Sequence, residues 1–187
     1  MIIRPYQGKS PKIHPTAWIA ENAVIIGDVD IGPRVNIWYN VVIRGDLNRI
    51  VIGAETNVQD GTIIHVESDN GPCLIGGRVT IGHAAIVHGC EVGNNALIGM
   101  GAIVLSWATL GEGSLVAANA LIKEHAIIPA RTLWAGVPAQ QRSEVTDEML
   151  SRMWEGCDHY LQLANEYKKL DSEPQNNAEQ NGKIAQK

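Results

Sequence analysis

Stepping six residues at a time from Ile13, the chain places isoleucine at Ile19, Ile25, Ile31, Ile37 and Ile43. The phase slips across RGDLNR, residues 44–49, and resumes at Ile52, Val58 and Ile64. It slips again across VESDNGPCL, residues 66–74, and resumes at Ile75, Ile81 and Val87. One residue is dropped near HGCE, after which Val92, Ile98, Val104, Leu110, Val116, Ile122 and Ile128 follow at sixes. Glycine often comes next, as at Gly32, Gly53, Gly76, Gly82 and Gly99. An amphipathic helix repeats about every 3.6 residues and a strand every two. A period of six fits neither. It fits a short strand and a tight turn, repeated, with one aliphatic residue pointing inward each time. Glycine or another small residue is needed where backbones approach closely or φ is positive. Coils of this kind stack, each burying the apolar row of its neighbour. An ordinary β-sandwich would space its strands by roughly 8–12 residues.

The pattern resembles the hexapeptide-repeat proteins over about residues 11–137. That resemblance implies a left-handed parallel β-helix, an all-β solenoid in which three hexapeptides make one triangular coil. Roughly seven coils fit the repeat region. Trp134 falls on the inward phase and is expected to plug the last coil. Beyond Pro138, the residues Leu150, Met153, Trp154, Cys157, Leu161, Ala164 and Tyr167 are spaced by three and four, which predicts an amphipathic α-helix. Thr146 or Ser143 is placed to cap it, with Asp147 and Glu148 in its first turn. The expected organisation is a β-helix domain over 1–137, a helical segment over 138–170 packing on the β-helix or a neighbouring subunit, and a disordered polar tail over 171–187.

Composition narrows the class. Of 187 residues, 45% are apolar and none is Phe, which suits a narrow interior lined by Ile, Val, Leu and Ala. A net charge of −5 argues against nucleic acid or an anionic membrane surface as partner. Cys73, Cys90 and Cys157 form no CxxC pair, so buried free thiols in a reducing compartment are expected. The first residues lack the apolar core of a signal peptide, and no stretch approaches the ~20 apolar residues of a spanning helix. The sequence is therefore read as a soluble, cytoplasmic protein.

Six histidines remain to be explained. His14, His125 and His159 have no evident companions and are read as surface or hydrogen-bonded residues. His65 and His88 each follow an inward residue by one, whereas His83 follows Ile81 by two. Successive strand residues point to opposite faces, so His83 is out of phase with the other pair. One flat face does not gather all three, but two subunits side by side do. Three neutral imidazoles with an open fourth position are the ligand set of a catalytic zinc site.

The segments RGDLNRIVIG, NVQDGTIIH and IGHAAIVHGC together resemble the γ-class carbonic anhydrases and their relatives. The resemblance implies a homotrimer with the metal between subunits, held by His65, His88 and, across the interface, His83. It implies an Arg44–Asp46 ion pair across the subunit boundary, a fork geometry suited to arginine. It implies that Gln59 hydrogen-bonds the metal-bound water or bicarbonate and that Asp60 orients neighbours. The activity implied is reversible hydration of CO2 by metal-bound hydroxide, with Zn²⁺ the default metal and Fe²⁺ or Co²⁺ also suited to three imidazoles. Regenerating the hydroxide needs a proton relay. Well-studied active members of the class carry a long acidic loop after the first ligand. Here that loop is short, with Glu67 and Asp69 as the local candidates. The segment RTLWAGVPA also lacks the tyrosine that members often place there.

Two other readings stand beside this one. AGVPAQ resembles the C-terminal segment of hexapeptide acyltransferases, which points to acyl-CoA transfer or thioester hydrolysis in the same cleft. A non-catalytic assembly subunit retaining a vestigial metal site is the third.

Overall fold

The computed structural model describes residues 1–172. Strands of mostly two or three residues wind into a parallel β-solenoid of about seven turns, followed by one C-terminal helix. This is the hexapeptide β-helix anticipated from the period of six. Each turn contributes to three faces. The first contains residues 42–44, then Ile63–His65, Ile86–His88, Ile103–Val104 and Leu121–Ile122. The second contains residues 50–52, then Cys73–Ile75, Glu91–Val92, Thr109–Leu110 and Ile127–Ile128. The third runs from Trp18–Ile19 through Asn36–Ile37, Asn57–Val58, Thr80–Ile81, Leu97–Ile98 and Leu115–Val116 to Thr132–Gly136. Two long strands, Val24–Ile31 and Val42–Ile52, pass through the corner between the first and second faces and join them.

The residues at period six form the core. On the first face Ile43, Ile64, Val87, Val104 and Ile122 lie in register, one above the other, and all are buried. Ile52, Ile75, Val92, Leu110 and Ile128 do the same on the second face. Corners turn inward with small residues such as Ala85, Ala102 and Ala120, so the interior has no room for a phenyl ring. Buried Thr56 and Thr62 donate to the carbonyls of Gly76 and Gly82 on the next coil, so their hydroxyls are satisfied.

The turns divide the two demands anticipated for glycine. A Cβ on Gly82 would lie 2.6 Å from the Met100 nitrogen, so that glycine answers close approach by the next coil. Positive φ falls on other glycines, such as Gly61 at 71° and Gly101 at 67°, and also on non-glycine residues, among them Arg78 at 56°, Ala84 at 57°, Trp107 at 59° and His125 at 59°. Stacking holds these turns in a conformation that costs an L-residue roughly 1–2 kcal/mol.

The helix α1 spans Asp147–Ser172 and packs on the third face of its own solenoid, burying Met153, Cys157 and Ala164. Thr146 caps it by accepting from the Met149 amide at 3.2 Å. The region 138–170 is not helical throughout. Ala139–Glu144 forms a strand antiparallel to Thr132–Gly136, so the expected boundary at residue 137 falls inside a hairpin. Trp134 continues the inward column above Val116 and, half-buried, packs against the core at the last coil, as expected. Asp171 and Ser172, expected in the tail, belong to the helix; the rest of that tail, 173–187, lies outside the described residues.

Aromatic side chains fix the helix in place. Trp38 meets Tyr160 and Tyr167 edge-on, with ring centroids 5.4 and 5.3 Å away. Trp18 lies 4.8 Å from Trp38 and donates its indole N–H to Asp171 at 2.8 Å. Arg78 bridges Glu55 on the solenoid and Asp158 on the helix, at 2.7 and 2.9 Å. Among the described residues, no helix is long and apolar enough to cross a membrane.

Candidate functional site

The first face stacks Arg44, His65 and His88 in register, at the end of their strands where the chain turns toward the second face. All three breaks in the six-residue period, at 44–49, 66–74 and 88–91, fall at this corner. The ladder brings the imidazoles together: His65 Nδ1 and His88 Nε2 are 3.1 Å apart. The outer nitrogen of each ring is also engaged. His65 Nε2–H donates to Asp46 Oδ1 at 2.9 Å, and His88 Nδ1 lies 2.9 Å from Ser106 Oγ. Ser106 in turn donates to Glu67 Oε2 at 3.4 Å.

Electrostatics favour ionised acids beside a neutral His88. Burial would raise the Asp46 carboxyl, but hydrogen bonds from His65 and Arg44 outweigh it and hold the group below its ordinary range. The Ser68 amide, with help from His88 and Ser106, holds Glu67 low as well. Burial and the neighbouring His65 lower His88, keeping the ring neutral. Arg44 donates to Asp46 within the same chain.

His83 lies elsewhere, at the corner between the third and first faces, as its offset anticipated. Its Nδ1–H donates to Asp60 Oδ2 at 2.9 Å. Gln59 is buried beside it, donating to Asn57 Oδ1 at 3.0 Å, and Asn57 donates to Thr80 Oγ1 at 2.8 Å. Gln59 and Asp60 thus belong with His83, not with His65 and His88. Tyr160 reaches this corner from α1, its hydroxyl 3.4 Å from His83 Nε2, and burial raises its pKa, assisted by Asp60. A trough of about 440 Å³ runs from Gln59, His83 and Tyr160 over Leu97, Met100 and Leu115.

No cluster of three or more metal-binding side chains occurs among the described residues of one chain. The donor set nonetheless fits a metal in parts. Two nitrogens on a tetrahedral zinc at about 2.05 Å sit roughly 3.3 Å apart; His65 and His88 present theirs at 3.1 Å. Each ring has an oxygen on its far nitrogen, the arrangement that orients metal-binding imidazoles. His83 offers a third nitrogen of the same kind, held by Asp60, on a different corner.

The sequence reading missed Ser106 and Tyr160. It also left His125 without companions, whereas the structure stacks its ring on Trp107 at 4.8 Å and 7°. Asp69 sits exposed in the short loop.

Comparison with known proteins agrees with this architecture. The family model "Bacterial transferase hexapeptide (six repeats)" matches residues 10–45 and 89–124. A carbonic anhydrase of Geobacillus kaustophilus is 43% identical over 172 residues, covering 92% of this chain and 94% of its own. Gamma carbonic anhydrase 2, a mitochondrial protein of Arabidopsis thaliana, is 38% identical over 161 residues; the match takes in 83% of this chain and 58% of the longer plant protein. A crystal structure of a hexapeptide transferase family protein from Anaplasma phagocytophilum superposes with a TM-score of 0.85 at 43% identity, covering 89% of this chain and 98% of that one. With its repeats, its paired histidines and a bacterial relative 43% identical over nearly the whole of both chains, the chain belongs to the hexapeptide-repeat family of carbonic anhydrases and carbonic anhydrase-like proteins.

Proposed function

We propose that the chain assembles as a homotrimer and catalyses reversible hydration of CO2 to bicarbonate at its subunit interfaces. The observation that carries this is the His65–His88 pair, two ring nitrogens at 3.1 Å with an oxygen partner on the far side of each ring. His83 of a second copy would complete the set. Supporting that assembly, the first face carries an outward ladder of Ile63, Ile86, Ile103 and Leu121 beside the pair, with Ile63 45% exposed. Covering such a ladder with another copy removes apolar surface from water.

A divalent ion held there, Zn²⁺ by default with Fe²⁺ or Co²⁺ also suited, would make water acidic enough to supply hydroxide near neutral pH. The protein's own part is positional. Asp46, itself steadied by Arg44, holds His65 in one orientation. Asp60 does the same for His83. The Gln59 amide, anchored on Asn57, stands beside His83 where it can present a hydrogen bond to substrate or product. Glu67 and Asp69, the acids nearest the pair in sequence, are the candidates to carry off the proton released with bicarbonate.

The trough beside His83 is larger than CO2 needs, and this favours a second reading in which the same cleft takes an acyl thioester. Stopped-flow CO2 hydration on zinc-quantified protein, with and without chelator, tests the proposal. Chelator-sensitive hydration supports it. Bound zinc without hydration would reject it, and acyl-CoA turnover that survives chelation would establish the second reading.

A further inference from the structure

We propose that Ser106 and Glu67 together set the tautomer of His88 and thereby hold the His65–His88 pair open for a cation. The proposal rests on His65, His83 and His88 being metal ligands. Ser106 is 3% exposed and lies in the turn after Ile103–Val104, one coil beyond His88. Its Oγ is 2.9 Å from His88 Nδ1 and 3.4 Å from Glu67 Oε2.

A hydroxyl has one proton to give, and an ionised carboxylate only accepts. In the arrangement we propose, the Ser106 proton points to Glu67, and the hydroxyl oxygen accepts from His88 Nδ1–H. That leaves His88 Nε2 without a hydrogen. Asp46 imposes the matching state on His65, whose Nε2 carries the proton and whose Nδ1 does not. The two bare nitrogens then face each other at 3.1 Å, an arrangement that repels unless a cation lies between them.

The alternative tautomer would behave differently. With its proton on Nε2, His88 would donate to His65 Nδ1 at the same 3.1 Å, and the pair would close as an ordinary hydrogen bond. Without a cation the pair's own hydrogen bond favours this closed state; the serine and the carboxylate behind it favour the open one. Glu67 is itself fixed, because Oε1 accepts from the Ser68 amide at 3.1 Å and the Ser68 hydroxyl at 3.4 Å. Both residues act through His88, which makes them positioning residues. This gives Glu67 a part other than the proton acceptor anticipated from sequence.

The test titrates metal-free protein with zinc against a chromophoric chelator and reads histidine tautomers by ¹⁵N NMR. Ser106→Ala is expected to bind zinc about 10–100-fold more weakly at unchanged stoichiometry. Ser106→Thr, which keeps the hydroxyl, should stay within a few-fold of the parent. Glu67→Ala should resemble Ser106→Ala, while Glu67→Gln, which keeps an acceptor oxygen, should remain near the parent. In the metal-free parent the His88 proton should sit on Nδ1, and in Ser106→Ala on Nε2. Parental zinc affinity in both alanine variants, or an unchanged His88 tautomer in Ser106→Ala, would overturn the assignment. If the parent binds no zinc at all, the ligand reading fails, and the NMR tautomers still decide the role of Ser106.

Discussion

His65 and His88 are neighbours because their strands are adjacent coils in perfect register, His65 opposite His88, with the facing ring nitrogens 3.1 Å apart. The 23-residue step from one to the other amounts to one circuit of the solenoid plus its irregular corner. His83, only five residues before His88, is turned to another corner. Proximity in sequence and proximity in space are inverted here, as the proposed sharing of each site between two copies requires.

His83→Ala is expected to abolish stoichiometric zinc binding while leaving the thermal unfolding midpoint within a few degrees of the parent. The ring is half-exposed and off the core column, so little packing is lost. Zinc quantified by atomic absorption after dialysis checks it. Full zinc content in the variant would remove His83 from the ligand set.

Tyr160→Phe should keep its zinc but lower kcat/KM for hydration by up to tenfold, since one hydrogen bond near His83 is worth about 1 kcal/mol. A variant with parental kinetics would confine the tyrosine to the aromatic cluster with Trp38.

Trp38→Ala should destabilise the fold by about 3–5 kcal/mol, as large aromatic truncations in packed sites do. The indole touches Trp18, Tyr160 and Tyr167 together. Denaturant unfolding measures the loss. A change under 1 kcal/mol would show that α1 is held by its ion pairs instead.

Gly53→Ala should cost about 1–3 kcal/mol, although its φ is not in the left-handed region. A Cβ there meets the Gly76 carbonyl carbon at 2.5 Å. Normal stability in the variant would mean the coils slide apart easily.

The three free thiols should resist alkylation in the folded protein at pH 8 and react fully once it is unfolded. Cys73, Cys90 and Cys157 are all buried. A hydrogen bond with Cys73 and complete burial push the Cys90 thiol well above its usual range, and burial raises Cys157. A raised thiol stays protonated, hence unreactive, until the pH passes its folded value. Mass spectrometry of iodoacetamide-treated protein counts the labels, and rapid native labelling of any thiol would contradict the buried placement.

Much of this molecule was legible because a solenoid repeats its physics. Ile43, Ile64 and Val87 announce the inward column by spacing alone, and the breaks between them mark the corner where His65 and His88 meet. Ser106 was not legible: it occupies an unbroken hexapeptide, and a serine in a turn is ordinary. Tyr160 comes from a helix 77 residues beyond His83, a contact set by how α1 lies on the third face. The left-handed turns at Trp107 and His125 escaped for a related reason, since no residue preference signals a conformation that stacking imposes from outside.

The helix has one more effect. It starts where Asp147 pairs with Arg131 beside the last coil, passes Arg78 and Trp38, and ends with Asp171 on Trp18 of an early coil. A stack of coils joined only to nearest neighbours would fray from either tip, one rung at a time. A rod bonded at both tips and at the middle behaves like the tie-bar of a spring: no rung can open without loading the bar. The open-ended ladder thereby becomes a single mechanical unit, and heat should take it apart in one step.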